Sequence, residues 1–343
     1  MTIGIGLEAY LDAWAGTDSG RTAVASALLA LAEAGLELAE IVGGGDLVTN
    51  QAAIVGDNAG GDAQKALDVR SHEVVVAALK RTSAVAMVAS EEADDTETLN
   101  EGGLVVVATD PLDGSSNIDT NISIGTIFSI LPMTETGNPF LVPGRNQLAG
   151  GYVVYGPHLD LAFTLGEGTH VFTYDRGAGA FRMVAENVTI APTTREYAIN
   201  ASNYRHWSEG IRAWVDDCLA GADGPLGTDY NMRWVGSLVA DTSRILSRGG
   251  VFLYPGDSRK GYAKGRLRIL YEANPIAMMI EQAGGTASNG RQPILDIEVT
   301  ELHQRTGLVF GAAEEVARIE RYEANPAGSG SSPLFGNRGL FRT

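Results

Sequence analysis

Cysteine is all but missing: Cys218 stands alone among 343 residues. A single thiol excludes an intramolecular disulfide, and with it a secreted disulfide framework or a dithiol switch within the chain. Cys218 itself reads as a small apolar residue, buried or half-buried. Basic residues are scarce too: 25 Lys plus Arg face 42 Asp plus Glu, a net charge of −17. That balance argues against nucleic acid or an anionic membrane as a bulk partner. It leaves room for a small anionic ligand in a local cationic pocket, because salt screens the distant field. Long charge-free apolar runs are also lacking. The Ala/Leu-rich stretch 24–42 carries Glu33, Glu37 and Glu40 and reads as an amphipathic helix, not a bilayer span. No basic segment followed by an apolar one opens the chain, so a soluble, cytoplasmic protein is expected. His72, His158, His170, His206 and His303 show no metal-ligand spacing, and no repeat of domain scale is present.

What is there is a chain with 44% hydrophobic side chains, enough for two domains or one large two-part α/β unit. Asp18 and Ser19 predict a capped helix running to about Ile41 and stopped by Gly43, Gly44 and Gly45. The Gly/Asp-rich stretch 55–64 predicts a mobile loop, and 68–83 a second helix. Apolar runs at 84–90, 104–109, 125–133, 148–157, 161–175 and 180–185 predict successive strands with Gly-marked turns. Beyond a link at 186–194, strands are expected at "REYAINAS", "MRWVGS" and "VFLYPGDS". Helices are expected at "LVADTSRILSRGG", "NPIAMMIEQAGG" and "AEEVARIERYEAN". Strands and helices do not alternate strictly, which points to stacked sheet and helix layers rather than a doubly wound fold. The division predicted is an α/β half over 1–192, a second α/β half over 193–325, and a Gly/Ser-rich tail over 326–343.

The stretch "VATDPLDGSSNID" ends an apolar run with two carboxylates and a string of small residues. Taken alone it is as much a polar turn as a site. As a site, Asp110, Asp113 and the Leu112 carbonyl offer oxygen alone, which suits a hard cation such as Mg²⁺ or Mn²⁺. Gly114, Ser115 and Ser116 then offer close backbone approach and N–H groups for a phosphate. Glu91 and Glu92 end the neighbouring predicted strand. Two strands ending in carboxylates at one sheet edge make a multi-metal cage of the kind that serves phosphoryl chemistry. Five of the 25 cations, Arg259, Lys260, Lys264, Arg266 and Arg268, fall within ten residues. In so acidic a chain they read as a grip for an anionic substrate. Glu272 follows in the apolar "LRILYEANP", where a carboxylate needs a partner that a metal supplies.

These motifs, "SEE", "DPLDGSSNID" and "LRILYEANP…EQAGG", resemble those of class I fructose-1,6-bisphosphatases, within the lithium-sensitive sugar and inositol phosphatase superfamily. The resemblance runs from about Arg21 to the last helix. It implies a layered α-β-α-β-α sandwich, a homotetramer, and Mg²⁺-dependent removal of the 1-phosphate from a sugar bisphosphate. By the same resemblance Glu91, Glu92, Asp110, Asp113, Glu272 and the Leu112 carbonyl are metal ligands. Asp113, Gly114, Ser115 and Ser116 contact the 1-phosphate and sugar. "DAQKALDV" resembles the family's catalytic loop, in which Asp68, helped by Glu92, activates water and Asp62 anchors the closed loop through Arg268. Asn200 and Tyr254 match distal-phosphate contacts, Arg233 an arginine reaching a neighbouring subunit's site, and Arg266 a sugar-binding lysine. Trp234 stands where the family often has a phosphate-binding tyrosine, and Tyr204 lies one residue later than expected, with Asn203 in its place. The family's AMP-binding residues are missing, which predicts weak or no AMP inhibition.

The nearest rival reading is sedoheptulose-1,7-bisphosphatase, alone or as a second activity. An inositol or nucleotide monophosphatase fits the basic cluster less well, because a monophosphate needs no distal grip. A non-catalytic phosphometabolite-binding protein has no use for the full carboxylate set.

Overall fold

Two large β-sheets are interleaved with three layers of helix, and two further strand pairs lie beside them, in a computed structural model that describes residues 3–47, 50–57 and 63–326. Asp62 and the tail beyond Pro326 lie outside the described residues. The first half runs α1 (Leu7–Ala15), α2 (Ser19–Gly44), β1 (Ile54–Asp57), β2 (Ala63–Lys65) and α3 (Ala66–Arg81). Eight strands follow: β3 (Val85–Ser90), β4 (Glu97–Thr98), β5 (Val105–Asp113), β6 (Ile124–Pro132), β7 (Ala149–Tyr155), β8 (Leu159–Thr164), β9 (Thr169–Asp175) and β10 (Ala180–Ala185). The second half runs β11 (Glu196–Ile199), α4 (Glu209–Leu219), β12 (Asn231–Met232), α5 (Leu238–Arg248) and β13 (Val251–Tyr254). It closes with β14 (Leu267–Arg268), α6 (Asn274–Gln282), β15 (Thr286–Ser288), β16 (Arg305–Thr306), β17 (Leu308–Gly311) and α7 (Ala313–Ala324).

The eight-stranded sheet has the order β10-β9-β8-β7-β6-β5-β3-β4. Only β3 and β5 pair in parallel within it, so their C-terminal ends emerge together. Its two faces follow from the two-residue period of a strand. Phe128, Val153 and Phe163 pack under α1, α2 and α3, whereas Ile127, Tyr152 and Ala162 face α5 and α6. A five-stranded sheet, β12-β11-β13-β17-β15, lies on the other side of α5 and α6. Its outer face buries Leu253 and Val309 against Trp214 of α4 and Ile319 of α7. The layers are therefore α-β-α-β-α.

Helix α2 passes for a membrane span by length and apolar composition. It is the core helix of the outer layer, with Leu28 and Leu38 fully buried against the sheet. Asp18 caps it by accepting from Arg21 N at 2.8 Å, as the sequence predicts. Helices α1 and α4 were not expected from sequence. The signal for α4 was present: Ser208 accepts from Ile211 N, and Ile211, Trp214, Val215 and Cys218 form one buried stripe. The strand expected at "MRWVGS" shrinks to Asn231–Met232. The ladder with β11 stops at Arg233 N, which donates to the Tyr197 carbonyl at 2.7 Å; beyond it the Asp241 carboxylate takes the N–H groups of Val235 and Gly236, and Arg244 takes the Arg233 carbonyl.

Candidate metal and phosphate site

Asp110 and Asp113 lie three residues apart, a spacing that puts side chains on opposite faces of a regular strand. The pairing of β5 with β6 slips here: Asp110 opposes Ile127 and Asp113 opposes Gly125. Pro111 and Leu112 thus share Thr126 as their partner, a β-bulge that tolerates proline. The Thr126 hydroxyl donates to the Pro111 carbonyl at 2.8 Å and holds the bulge. The extra residue restores the alternation, so both carboxylates face the middle layer with Ile127. Leu112 N donates to Asp110 Oδ1 at 3.0 Å, which fixes the bulged segment from inside.

The parallel neighbour β3 brings Glu91 alongside, its N–H donating to the Thr109 carbonyl at 3.0 Å. Glu272 comes from the second half, on a π-helical turn over Ile269–Ala273. Such turns are rare and add a residue that re-aims a side chain. Glu91, Asp110 and Glu272 are buried and each offers an oxygen within 4.8 Å of the others. Burial first, then the neighbouring carboxylates, push Asp110 and Glu272 well above the ordinary carboxylate range. Glu91 is raised by burial and held back by the Arg268 guanidinium, whose Nη1 lies 2.5 Å from Glu91 Oε1.

Asp113 is raised to about 6 by burial, opposed by hydrogen bonds from the start of α5. Val239 N donates to its Oδ2 at 2.9 Å and Ser237 Oγ at 3.3 Å. Helix α5 reaches this carboxylate because Gly125 has no side chain: a Cβ there would lie 2.7 Å from Val239 Cγ2 and 2.2 Å from the Val153 carbonyl oxygen. Gly114, at φ 80°, then turns the chain into a 3₁₀ segment at Ser115–Thr120. Asn117 Nδ2 donates to the Gly236 carbonyl at 3.0 Å, a second tie between the halves.

Glu92 stands beside this cluster, its Oε2 accepting from Gln64 Nε2 at 2.6 Å. Asp68 is buried in the first turn of α3, where Oδ2 accepts from Lys65 N at 2.6 Å and Oδ1 has no hydrogen-bond partner among the described residues. Burial raises its pKa to about 6, with Glu92 adding to the shift. Lys65 escaped sequence reasoning. Its Nζ donates to the Ser115 carbonyl at 2.8 Å and so joins α3 to the segment after Gly114.

On the distal side, Tyr254 ends β13, half-buried beside Trp234, whose ring stacks on Phe252 at 5.5 Å. Arg266 lies over Tyr262 at 4.9 Å and donates to its hydroxyl at 2.7 Å. Asn200, at the end of β11, accepts from Ser202 N and Ser202 Oγ. Arg233 is half exposed, with Glu196 Oε1 at 3.8 Å. Tyr204 is drawn into the outer layer: its hydroxyl donates to Asp216 Oδ1 at 2.8 Å and its ring meets Trp207 edge-on. The structure thus brings together Glu91, Asp110, Asp113, Glu272 and Arg268, with Glu92 and Asp68 at the margin.

The donor set fits a divalent cation. Four buried carboxylates share one neighbouring guanidinium, all offered ligands are oxygen, and the groups relieve their repulsion only by holding protons. A hard cation replaces those protons.

Two family models match the chain, "Fructose-1-6-bisphosphatase, N-terminal domain" over residues 20–186 and "Fructose-1-6-bisphosphatase, C-terminal domain" over 190–324. The class 1 fructose-1,6-bisphosphatase of Azorhizobium caulinodans is 56% identical over 323 residues, covering 92% of this chain and 98% of that protein. That of Rhodopseudomonas palustris (strain HaA2) is 51% identical over the whole of both. Among solved structures, Leishmania major fructose-1,6-bisphosphatase in holo form is 30% identical, with a TM-score of 0.87 over 94% of this chain and 99% of that one. The fold, the bulged carboxylate strand and these matches agree: the chain belongs to the class 1 fructose-1,6-bisphosphatase family.

Proposed function

We propose that this chain hydrolyses the 1-phosphate of fructose 1,6-bisphosphate, giving fructose 6-phosphate and phosphate, with Mg²⁺ as the working ion and Mn²⁺ as a substitute. As a member of its family the chain is a phosphoric monoester hydrolase. The observation that carries the residue-level reading is the meeting of Glu91, Asp110 and Glu272 from three separate elements at the end of a bulged strand.

Glu91, Glu92, Asp110, Asp113, Glu272 and the Leu112 carbonyl hold the ions. Bound divalent cations supply positive charge against the phosphoryl group and the departing sugar oxygen. The protein's own residues do the rest. The backbone at Gly114, Ser115 and Ser116 cradles the 1-phosphate at the start of a short helical segment. Asp68 accepts a proton from the attacking water, aided by Glu92; its raised pKa of about 6 suits a base working near neutrality. Asn200, Tyr204, Tyr254, Arg266 and Arg233 hold the distal end and so align the reacting one.

Arg233 is half exposed, which supports its reaching a neighbouring subunit's site in a homotetramer. The halves are 1–192 and 193–325, followed by a tail over 326–343. The site in the protein's economy is cytoplasmic, in gluconeogenesis or the Calvin cycle. Trp234 gives one specific reason to keep sedoheptulose 1,7-bisphosphate as a second substrate: its ring packs on Phe252 and Tyr254 without a hydroxyl to specify the distal phosphate. Comparing kcat/KM for the two bisphosphates tests the assignment. A higher value for the fructose compound is expected, and a clear preference for the sedoheptulose compound overturns it.

A further inference from the structure

Strand β13 alternates, so the five-stranded sheet presents two different chemistries. Phe252, with Trp234 and Tyr254, belongs to the inner face, where the sugar grip lies. Leu253 and Val251 belong to the outer face, with Ile211 and Val309. Ile211 and Val309 also line a cavity of about 520 Å³ together with Lys264, Arg291 and Arg305. The cavity thus reaches the outer face of the sheet, with Pro255 and Gly256 of the loop after Tyr254 and Ile269 of the inner-face cluster also in its wall.

Its charges do not cancel. Two carboxylates, Asp257 and Glu323, reach the same cavity. Asp257 Oδ1 already accepts from Arg259 Nε at 3.0 Å and from Arg259 N at 2.9 Å. Glu323 Oε1 accepts from Ser208 Oγ and from Ile211 N. Lys264 and Arg291 take part in no ion pair among the described residues. In a chain of net charge −17, a half-open cavity lined by two exposed cations on separate loops, neither in an ion pair among the described residues, suits an anion from solution.

We propose that this cavity is a second anion site, which binds a small dianion of the phosphate-monoester or sulfate type on Lys264, Arg291 and Arg305. Its occupancy is transmitted to the metal cluster through β16. Arg305 stands in register with Arg268 on β14, and Ile269 N donates to the Gln304 carbonyl at 2.8 Å. Arg268 in turn carries the ion pair with Glu91. His303 Nε2 lies 3.1 Å from the Ala93 carbonyl oxygen, two residues after Glu91, so the same segment touches both sides of the cluster. The binding site stands by itself; the transmission rests on the metal site proposed above.

The test uses Trp207, which is buried in the cavity wall. Inorganic phosphate and sulfate are titrated separately into the full chain in EDTA while tryptophan fluorescence is followed. A saturable change is expected with a midpoint at about 1 mM or below. It disappears in Trp207→Phe, weakens at least about ten-fold when Lys264→Ala and Arg291→Ala are combined, and persists in Asp110→Asn. A response to phosphate alone identifies phosphate monoesters as the ligands, and a response to both identifies small dianions in general. No saturable response, an undiminished response in the double variant, or its loss in Asp110→Asn overturns the site. For the transmission, sulfate shifts the Mg²⁺ concentration that half-raises the melting temperature in the wild type and not in the double variant. An equal shift in both overturns it.

Discussion

Arg268 Nη1 lies 2.5 Å from Glu91 Oε1, inside a cluster where every other charged group is a carboxylate. The cation and the anion come from different halves of the chain, and both are buried. The guanidinium therefore offsets part of the burial that raises the Glu91 carboxyl. Removing the guanidinium with Arg268→Met leaves Glu91 without that compensation. In EDTA the variant loses about 3 kcal/mol of stability, the usual result of breaking one side of a buried pair. Saturating Mg²⁺ restores more of the loss than it adds to the wild type. Thermal melts with and without Mg²⁺ check this; equal melting temperatures in EDTA count against it.

Asp68 gives a pH prediction. Its pKa rises from 3.8 to about 6 on folding, because burial disfavours the charged carboxylate and Glu92 repels it. Folding is thus favoured by this group below 3.8, and the contribution is lost as pH rises through 6. Asp68→Asn never ionises. In EDTA the variant gains on the wild type as pH rises from 4 to 8, by about 2 kcal/mol, while its turnover falls at least about a hundred-fold. Urea denaturation at the two pH values reads the first part, and a gap that does not change with pH contradicts it.

Much of this was legible in the sequence, and the reasons differ by residue. Asp110 and Asp113 end an apolar run, Glu91 and Glu92 end another, and a carboxylate behind a buried strand is a strong signal. The outer helix α2 announced itself through its Asp18 cap and apolar spacing, and α3 was legible as a helix over 68–83. What sequence could not give was the bulge at Pro111 and Leu112, which depends on β6 as a partner. Neither could it give the π-helical turn that aims Glu272, since one added residue leaves no periodic trace. Tyr204 was read from its place in a motif; its bond to Asp216 on the unread helix α4 and its edge contact with Trp207 had no signal there. Lys65 was passed over because a lone lysine before a helix has no signature; its role comes from Ser115, fifty residues away.

Gly125 couples the sheet to the orientation of Asp113. Gly125→Ala places a methyl group against Val239 and the Val153 carbonyl, and costs about 2–3 kcal/mol as an overpacked core does. Because the strain pushes α5 away, the Val239 N–H to Asp113 bond lengthens and kcat falls more than KM changes. Folding stability and steady-state kinetics measure both. A destabilised variant with wild-type kcat shows that α5 does not position Asp113.

Arg233 binds rather than reacts. Arg233→Ala raises KM about ten-fold, equivalent to about 1.4 kcal/mol, and leaves kcat within a factor of about three. If Arg233 serves a neighbouring subunit, refolding a mixture of Arg233→Ala and Asp113→Ala chains yields some intact sites. Activity at low substrate then exceeds the sum of the separate variants. An additive result removes the contribution from a neighbour.

The central claim is that the carboxylates at the ends of β3 and β5 and on the turn before α6 form a divalent-cation site for phosphate ester hydrolysis. Phosphate release from fructose 1,6-bisphosphate, measured in Mg²⁺ and in EDTA for the wild type and Asp113→Ala, tests it most directly. Turnover by the wild type in Mg²⁺ is expected to vanish in EDTA, and Asp113→Ala is expected to stay at least about a thousand-fold slower, a loss of about 4 kcal/mol in transition-state stabilisation, even at saturating Mg²⁺. Turnover that survives EDTA, or a near-normal rate in Asp113→Ala, contradicts the claim.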